Sequence, residues 1–303
     1  MSQRPILIDK LLKISQKAGS AVVRDFGELS LLSVETKGSF DFVSSADKQS
    51  EKIIAYELQQ FRPEYHFLLE ESGYIQTTSW EKVQKDGFVR RWVVDPIDGT
   101  TNFIRGNPNF VICISLEHIA IPPNITNVNE ISKYVQNPKV IAKVLSSMIY
   151  YPSYQEVFWA EDGIGAYHID QYGQQTRINV MPCKEINGAV VNTILHKEKI
   201  SAFDSVFNFL SDHSVRWRIS GSIAKDITYL SSGKNDLVIF AEKLKRWDLS
   251  AAYLIGREAG VKIVDLNFKT INNISQMEDN GIIAGHPTFI NKLLSAINTN
   301  KII

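Results

Sequence analysis

The chain has 303 residues, 44% of them hydrophobic and 22% charged, which suits one large domain or two closely packed ones with a sizeable core. Lys and Arg together number 33 and Asp and Glu 33, so no overall field draws the protein to nucleic acid or to an anionic membrane. No run approaches the ~18 apolar residues of a membrane span, and the first residues lack the apolar stretch of a signal peptide. The 2 cysteines, Cys113 and Cys183, have no Cys or His at zinc-ligand spacing and are expected to be buried and reduced, as in a cytoplasmic protein.

In chain order, apolar residues from Ile8 to Phe26 recur every three or four positions and predict an amphipathic helix over 6–28. A loop with turn chemistry follows at 37–41, then a second helix over 45–61, capped by Ser45 and stopped by Pro63. Residues 66–69 and 88–94 read as strands that end in acids, Glu70-Glu71 and Asp95. Strand ends are where a rigid element can aim ligands. Further strands are expected at 111–117 and 140–150, with a polar, Pro- and Asn-rich surface insertion over 119–137 between them. A hairpin pairs 156–160 with 165–168. From about residue 186 strands (190–195, 215–219, 236–241, 261–264, 282–284) alternate with helices (202–210, 223–231, 249–259, 287–297). The expected organisation is an α+β part over 1–185 with a mostly antiparallel sheet, and an α/β part over 186–303.

The segment with the most chemistry is Asp95-Pro96-Ile97-Asp98-Gly99-Thr100-Thr101. Pro96 biases Asp95 to extended backbone, and a turn can then bring both carboxylates to one point. Hard oxygen ligands of this kind suit Mg²⁺. Gly99 permits close backbone approach, and a helix starting at Thr100 would aim free N–H groups at a phosphate. The bland alternative is an ordinary turn with a helix cap. Elsewhere the acids read blandly by themselves: Glu70-Glu71 as a solvated pair, Asp248 as the N-cap of the helix that follows, Asp41 and Asp47 as caps. The six histidines show no metal-ligand spacing.

Taken in order, these blocks resemble the inositol monophosphatase family, the lithium-sensitive Mg²⁺-dependent phosphatases that include SuhB-like members. The resemblance runs through Lys37, Asp41 and Asp47, then Leu69-Glu70-Glu71, then 92–103 (WVVDPIDGTTNF), Gly221-Ser222 and 247–260. It implies the layered α-β-α-β-α sandwich of the inositol monophosphatase/sugar phosphatase type. It implies one Mg²⁺ on Glu70, Asp95 and the Ile97 carbonyl, and a second on Asp95, Asp98 and Asp248. Thr100 and Glu70 would orient the attacking water. Gly99, Thr100, Gly221, Ser222 and Glu242 would meet the substrate. Lys37 would belong to a flap loop, with Asp47 behind it. The family also implies a homodimer.

The chain departs from the family pattern at several points. Leu69 stands where many members have Gly, Ser250 where Ala or Cys is usual, and Val261 at a second Gly. Inositol-specific members carry a Glu seven residues before the metal Asp. Here that position is Ala241, with Glu242 one step later, and Lys243, Lys245 and Arg246 make the stretch basic. The basic stretch reads either as a solvated charge run or as a preference for a second anionic group. The expected function is hydrolysis of a small phosphomonoester, myo-inositol monophosphate foremost. Open alternatives are a 3′-phosphoadenosine 5′-phosphate phosphatase, a fructose-1,6-bisphosphatase, or a SuhB-like role in which the protein binds the transcription machinery.

Overall fold

The structure is a computed structural model that describes residues 4–29, 34–36, 42–137, 139–183, 185–194, 204–241, 243–277 and 281–300. Lys37, Asp41 and Glu242 lie outside the described residues. Helix α1 (Ile6–Gly27) buries Ile8, Leu11, Ile14, Ala18 and Val22 as one stripe. A short antiparallel pair, β1 (Val34–Thr36) and β2 (Phe42–Ser44), leads to α2 (Ser45–Phe61), which packs beside α1.

Strands β3 (His66–Leu69) and β4 (Gly73–Ile75) come next, then a short helix α3 (Trp80–Asp86) and the long β5 (Phe88–Asp98). After α4 (Thr100–Ile104) the chain runs through β6 (Val111–Ala120), α5 (Val128–Gln136) and β7 (Lys143–Tyr151). Strands β8 (Glu156–Glu161), β9 (Gly165–Ile169) and β10 (Gln175–Ile178) complete a sheet ordered β10-β9-β8-β7-β6-β5-β3-β4. Its pairs are antiparallel except β3 with β5.

The second sheet is built from β11 (Val190–Ile194), β12 (Arg216–Arg218), β13 (Leu237–Phe240), β14 (Lys262–Val264) and β15 (Ile282–Gly285). It is ordered β12-β11-β13-β15-β14, with β11 parallel to both neighbours and β15 antiparallel to both of its own. Its helices are α6 (Asp204–Asp212), α7 (Ile223–Ser231), α8 (Arg246–Glu258) and α9 (Pro287–Asn300).

Side chains alternate across a strand, so the layers can be read from which core each residue joins. In β6, Ile112 and Ile114 pack with α1 and α2, whereas Val111 and Cys113 pack with α7 and α8. In β8, Val157 and Trp159 face the first pair of helices, and Phe158 and Ala160 the second. The smaller sheet repeats the division. Val238, Phe240, Ile282 and Ala284 face α7 and α8, while Leu237, Ile239 and Ile283 face α6 and α9. The order is therefore α1/α2, large sheet, α7/α8, small sheet, α6/α9: the layered α-β-α-β-α sandwich. Helices α7 and α8 are covered on both sides, and α8 buries nine of its residues from Arg246 to Gly256.

Several expectations are corrected. Strand β5 runs on through Asp98 instead of ending at Asp95. Helix α8 begins at Arg246, so Asp248 is the third residue of its first turn and not the N-cap. The 119–137 segment is more than a surface insertion. Its first residues extend β6, and α5 is capped by Asn127 and buries Ile131 and Val135 against Val83, Val89 and Ile119. An Ile and a Val four apart make one apolar stripe, a signal that the surrounding Asn and Pro residues obscured. Elements β4, α3 and β10 had no sequence assignment. Both cysteines are free thiols, but Cys183 is only half-buried.

Candidate active site

The pairing of β5 with β6 decides where the acids point. Asp95 lies opposite Cys113 and Asp98 opposite Val111. Three steps on β5 match two on β6, so one extra residue is taken up at Pro96-Ile97 as a β-bulge. Residues three apart on a regular strand face opposite sides. The bulge returns Asp98 to the side of Asp95, the side on which Cys113 and Val111 meet α7 and α8. Pro96, with no N–H to offer the ladder, suits that position. Ile97 goes to the other face and packs with α1 and α2.

Each acid is held by defined donors. Asp95 Oδ1 accepts from the Ile97 N–H at 2.9 Å. Asp98 Oδ2 accepts from Ser222 Oγ at 2.7 Å and from the Ala224 N–H at 2.9 Å, both at the start of α7. Asp248 Oδ2 accepts from the Lys245 N–H at 2.8 Å. Glu70 follows the end of β3, its N–H donating to Val94 O at 3.2 Å, which sets it beside Asp95. The turn behind it is fixed by buried Glu51, which accepts from the N–H groups of Glu71 at 2.7 Å and Ser72 at 3.0 Å.

Like charges and burial raise the pKa of these groups. Asp95 is pushed well up by burial, then by Glu70, Asp98 and Asp248, and it shares a hydrogen bond with Glu70. Burial raises Asp98 to about 6 against the opposing bonds from Ser222 and Ala224. Asp248 rises through burial and the charge of Asp98. Four carboxyl groups from three parts of the chain thus share one field.

Gly99 precedes α4 at φ 97°, and a Cβ there would meet the Asn109 carbonyl at 2.9 Å, so glycine is required. Thr100 Oγ1 donates to Ile97 O at 3.0 Å and lies 3.4 Å from Asp47 Oδ1. Asp47 is buried within the first turn of α2 and does not cap it. Gly221 lies against Asn102, whose Nδ2 donates to both Asn109 O and Ser220 O at 2.7 Å. Asn102 was missed as a site residue although it belongs to the same motif. Its role shows only when residues 109 and 220 come together. Glu51 and Ala224 gave no sequence signal at all.

Two further readings change. Arg246 is not part of an exposed basic stretch: it is 4% exposed and paired with Glu117 at 2.9 Å, whereas Lys243 and Lys245 are exposed. Ser250, where Ala or Cys is usual, uses its hydroxyl: Oγ donates to Glu117 Oε1 at 2.9 Å.

Among the described residues no three His, Cys, Asp or Glu side chains already stand at metal-ligand spacing. Mg²⁺ does not need such a cage, since it keeps several waters and binds through one or two carboxylates plus substrate phosphate. The donor set fits it. All the groups are hard oxygens, and Asp98 and Asp248 are each oriented through one oxygen, which leaves the other for coordination.

The model of the inositol monophosphatase family matches residues 7–122 and 140–301. Inositol-1-monophosphatase of Mesorhizobium japonicum is 31% identical over 97% of this chain and 97% of its own length. Nus factor SuhB of Vibrio cholerae is 29% identical over 97% of this chain and 96% of its own. The crystal structure of the extragenic suppressor protein SuhB from Bartonella henselae superposes with a TM-score of 0.77 at 31% identity, covering 97% of this chain and 98% of that one. With the sandwich and its cluster of acids, these matches place the chain in the inositol monophosphatase family.

Proposed function

We propose that the protein is a Mg²⁺-dependent phosphomonoesterase acting on a small phosphorylated metabolite, myo-inositol monophosphate foremost. The observation that carries this reading is the bulge at Pro96-Ile97, which turns Asp95 and Asp98 to one face, where Glu70 and Asp248 add to their field. Glu70, Asp95 and Ile97 O would hold one ion, and Asp95, Asp98 and Asp248 a second. Mg²⁺ bound there supplies charge neutralisation at the phosphoryl group and makes water more acidic.

The chain's own groups do the rest. The N–H groups of Gly99 and Thr100 hold phosphate oxygens. Glu70 and Thr100 Oγ1 orient a water, and Glu70 takes its proton as the water oxygen bonds to phosphorus in line with the ester oxygen. The P–O ester bond breaks, and the departing alkoxide takes a proton from solvent. A cavity of about 320 Å³ adjoins the start of α7, lined among others by Ser220, Asp226, Asn192 and Lys225. Its polar wall suits the hydroxyl groups of a polyol.

The test is a panel of phosphomonoesters assayed with Mg²⁺, with EDTA and with Li⁺. The expected result is hydrolysis that needs Mg²⁺ and is inhibited by Li⁺, and activity indifferent to EDTA would sink the metal mechanism. A second reading, a binding role with the transcription machinery, is favoured by the likeness to a relative named Nus factor SuhB. Asp98→Asn in cells separates the two. Loss of function supports catalysis, and full retention supports binding.

A further inference from the structure

Four strand positions from Asp95, on the same face of the large sheet, three charged residues are buried together. Arg91, Glu117 and Arg246 are 2%, 0% and 4% exposed. Glu117 Oε2 accepts from Arg91 Nε at 3.0 Å and Nη2 at 2.6 Å. Its Oε1 accepts from Arg246 Nε and Ser250 Oγ, both at 2.9 Å. The Ser250 hydroxyl in turn accepts from Ser115 at 2.7 Å. One carboxylate cannot satisfy two guanidinium groups. Two of the remaining donors reach backbone carbonyls: Arg91 Nη1 donates to Val135 O, within the insertion, and Arg246 Nη2 to Val140 O just past its end, at 3.2 Å. Val135 lies in the last turn of α5, inside residues 123–139, the stretch the family model leaves unmatched.

A buried guanidinium stripped of such an acceptor is left with an unsatisfied charged donor, and breaking a buried ion pair is costlier still. The insertion and the triad are therefore one unit. Arg246 is the first residue of α8, and Asp248 is two residues on in the same turn. We infer that α5, acting through the Arg91–Glu117–Arg246 triad, is a positioning device for the first turn of α8, and so for the Asp248 carboxylate at the candidate ion site. The inference rests on reading Asp248 as an ion ligand. It gives the insertion a role in metal affinity without any contact to substrate, and Arg246, Glu117 and Ser250 act as positioning residues.

The experiment measures Mg²⁺ binding by calorimetry and the Mg²⁺ concentration for half-maximal activity in the full chain. It compares the wild type with Arg246→Met, with Ile131→Ala to loosen α5, and with Ile290→Ala as a core control in α9. Arg246→Met should weaken Mg²⁺ binding about tenfold, the low end of what loss of a group supporting a metal ligand costs. KM for the phosphomonoester at saturating Mg²⁺ should stay unchanged. Ile131→Ala should shift the metal dependence in the same direction by a smaller factor. Ile290→Ala should lower Tm alone. Wild-type metal affinity in both Arg246→Met and Ile131→Ala, or an equal shift in Ile290→Ala, overturns the positioning role. If Arg246→Met does not fold, Ile131→Ala against Ile290→Ala decides. A wild type that binds no Mg²⁺ overturns this role together with the phosphatase reading, whereas a binding wild type with unshifted variants overturns this role alone.

Discussion

Ser222 shows how a residue's work changes once its partners are known. Its hydroxyl donates to Asp98 Oδ2 and accepts from the Lys225 N–H at 3.2 Å, so it caps α7 and orients an acid at once. Replacing Ser222 by Ala removes both. The cap is worth ~1 kcal/mol of stability. The freed carboxylate is expected to lower kcat/KM by about 10–100-fold, with substantial recovery in Ser222→Thr. Steady-state kinetics beside a denaturant titration separates the two losses, and an unchanged kcat/KM in Ser222→Ala would remove Ser222 from the site. Gly99 could be singled out in the sequence from its motif. The reason for glycine, the Asn109 carbonyl 2.9 Å from where a Cβ would sit, comes from a residue ten positions on.

At the level of elements, β3 places a titratable group where it cannot easily charge. His66 is fully buried, with Nδ1 2.5 Å from Tyr74 Oη on β4 and Nε2 without a partner. Burial, then the charge of Arg91, lowers its pKa from 6.5 to about 4. The unfolded chain therefore binds the proton more readily between these values, and stability falls as pH drops from about 6.5 towards 4. A shift of that size corresponds to ~3 kcal/mol. His66→Gln keeps an acceptor for Tyr74 and should flatten this part of the profile. The check is unfolding free energy at pH 7 and pH 4, and an identical pH slope in the two proteins would contradict it. Elements with strong periodicity, α1, α2 and α7, were legible in the sequence nearly to the residue. The three-residue β4 and the short α3 were not, because so few residues carry no period and pairing with β3 and packing on β5 stabilise them.

Across the whole molecule, the acids come from the end of β3, the bulge of β5 and the first turn of α8, so their proximity exists only in the folded chain. An ion that neutralises them binds the native state and not the unfolded one. Mg²⁺ at about 100 times its Kd should add about 2.7 kcal/mol of stability. Tm should then rise by a few degrees, at about 2 °C or less for each kcal/mol in a chain of this length. Differential scanning calorimetry with Mg²⁺ and with EDTA reads this without any substrate. A Tm unmoved by Mg²⁺ would argue against an ion at this site.

The sequence by itself carried the resemblance to the family, which in turn implied the layered class and named the acids as candidate ligands, because a compact motif is a local property of the chain. Tertiary structure alone decided that Asp95 and Asp98 share a face, since the parity of a strand is set by the register of its partner and the bulge is visible only against β6. It also decided that Arg246 is a buried partner of Glu117 rather than part of a basic surface, and that the insertion reaches the same carboxylate through Arg91. Charge and polarity are written in the sequence, but burial and partners are set by residues more than a hundred positions away, as with Glu117 and Arg246.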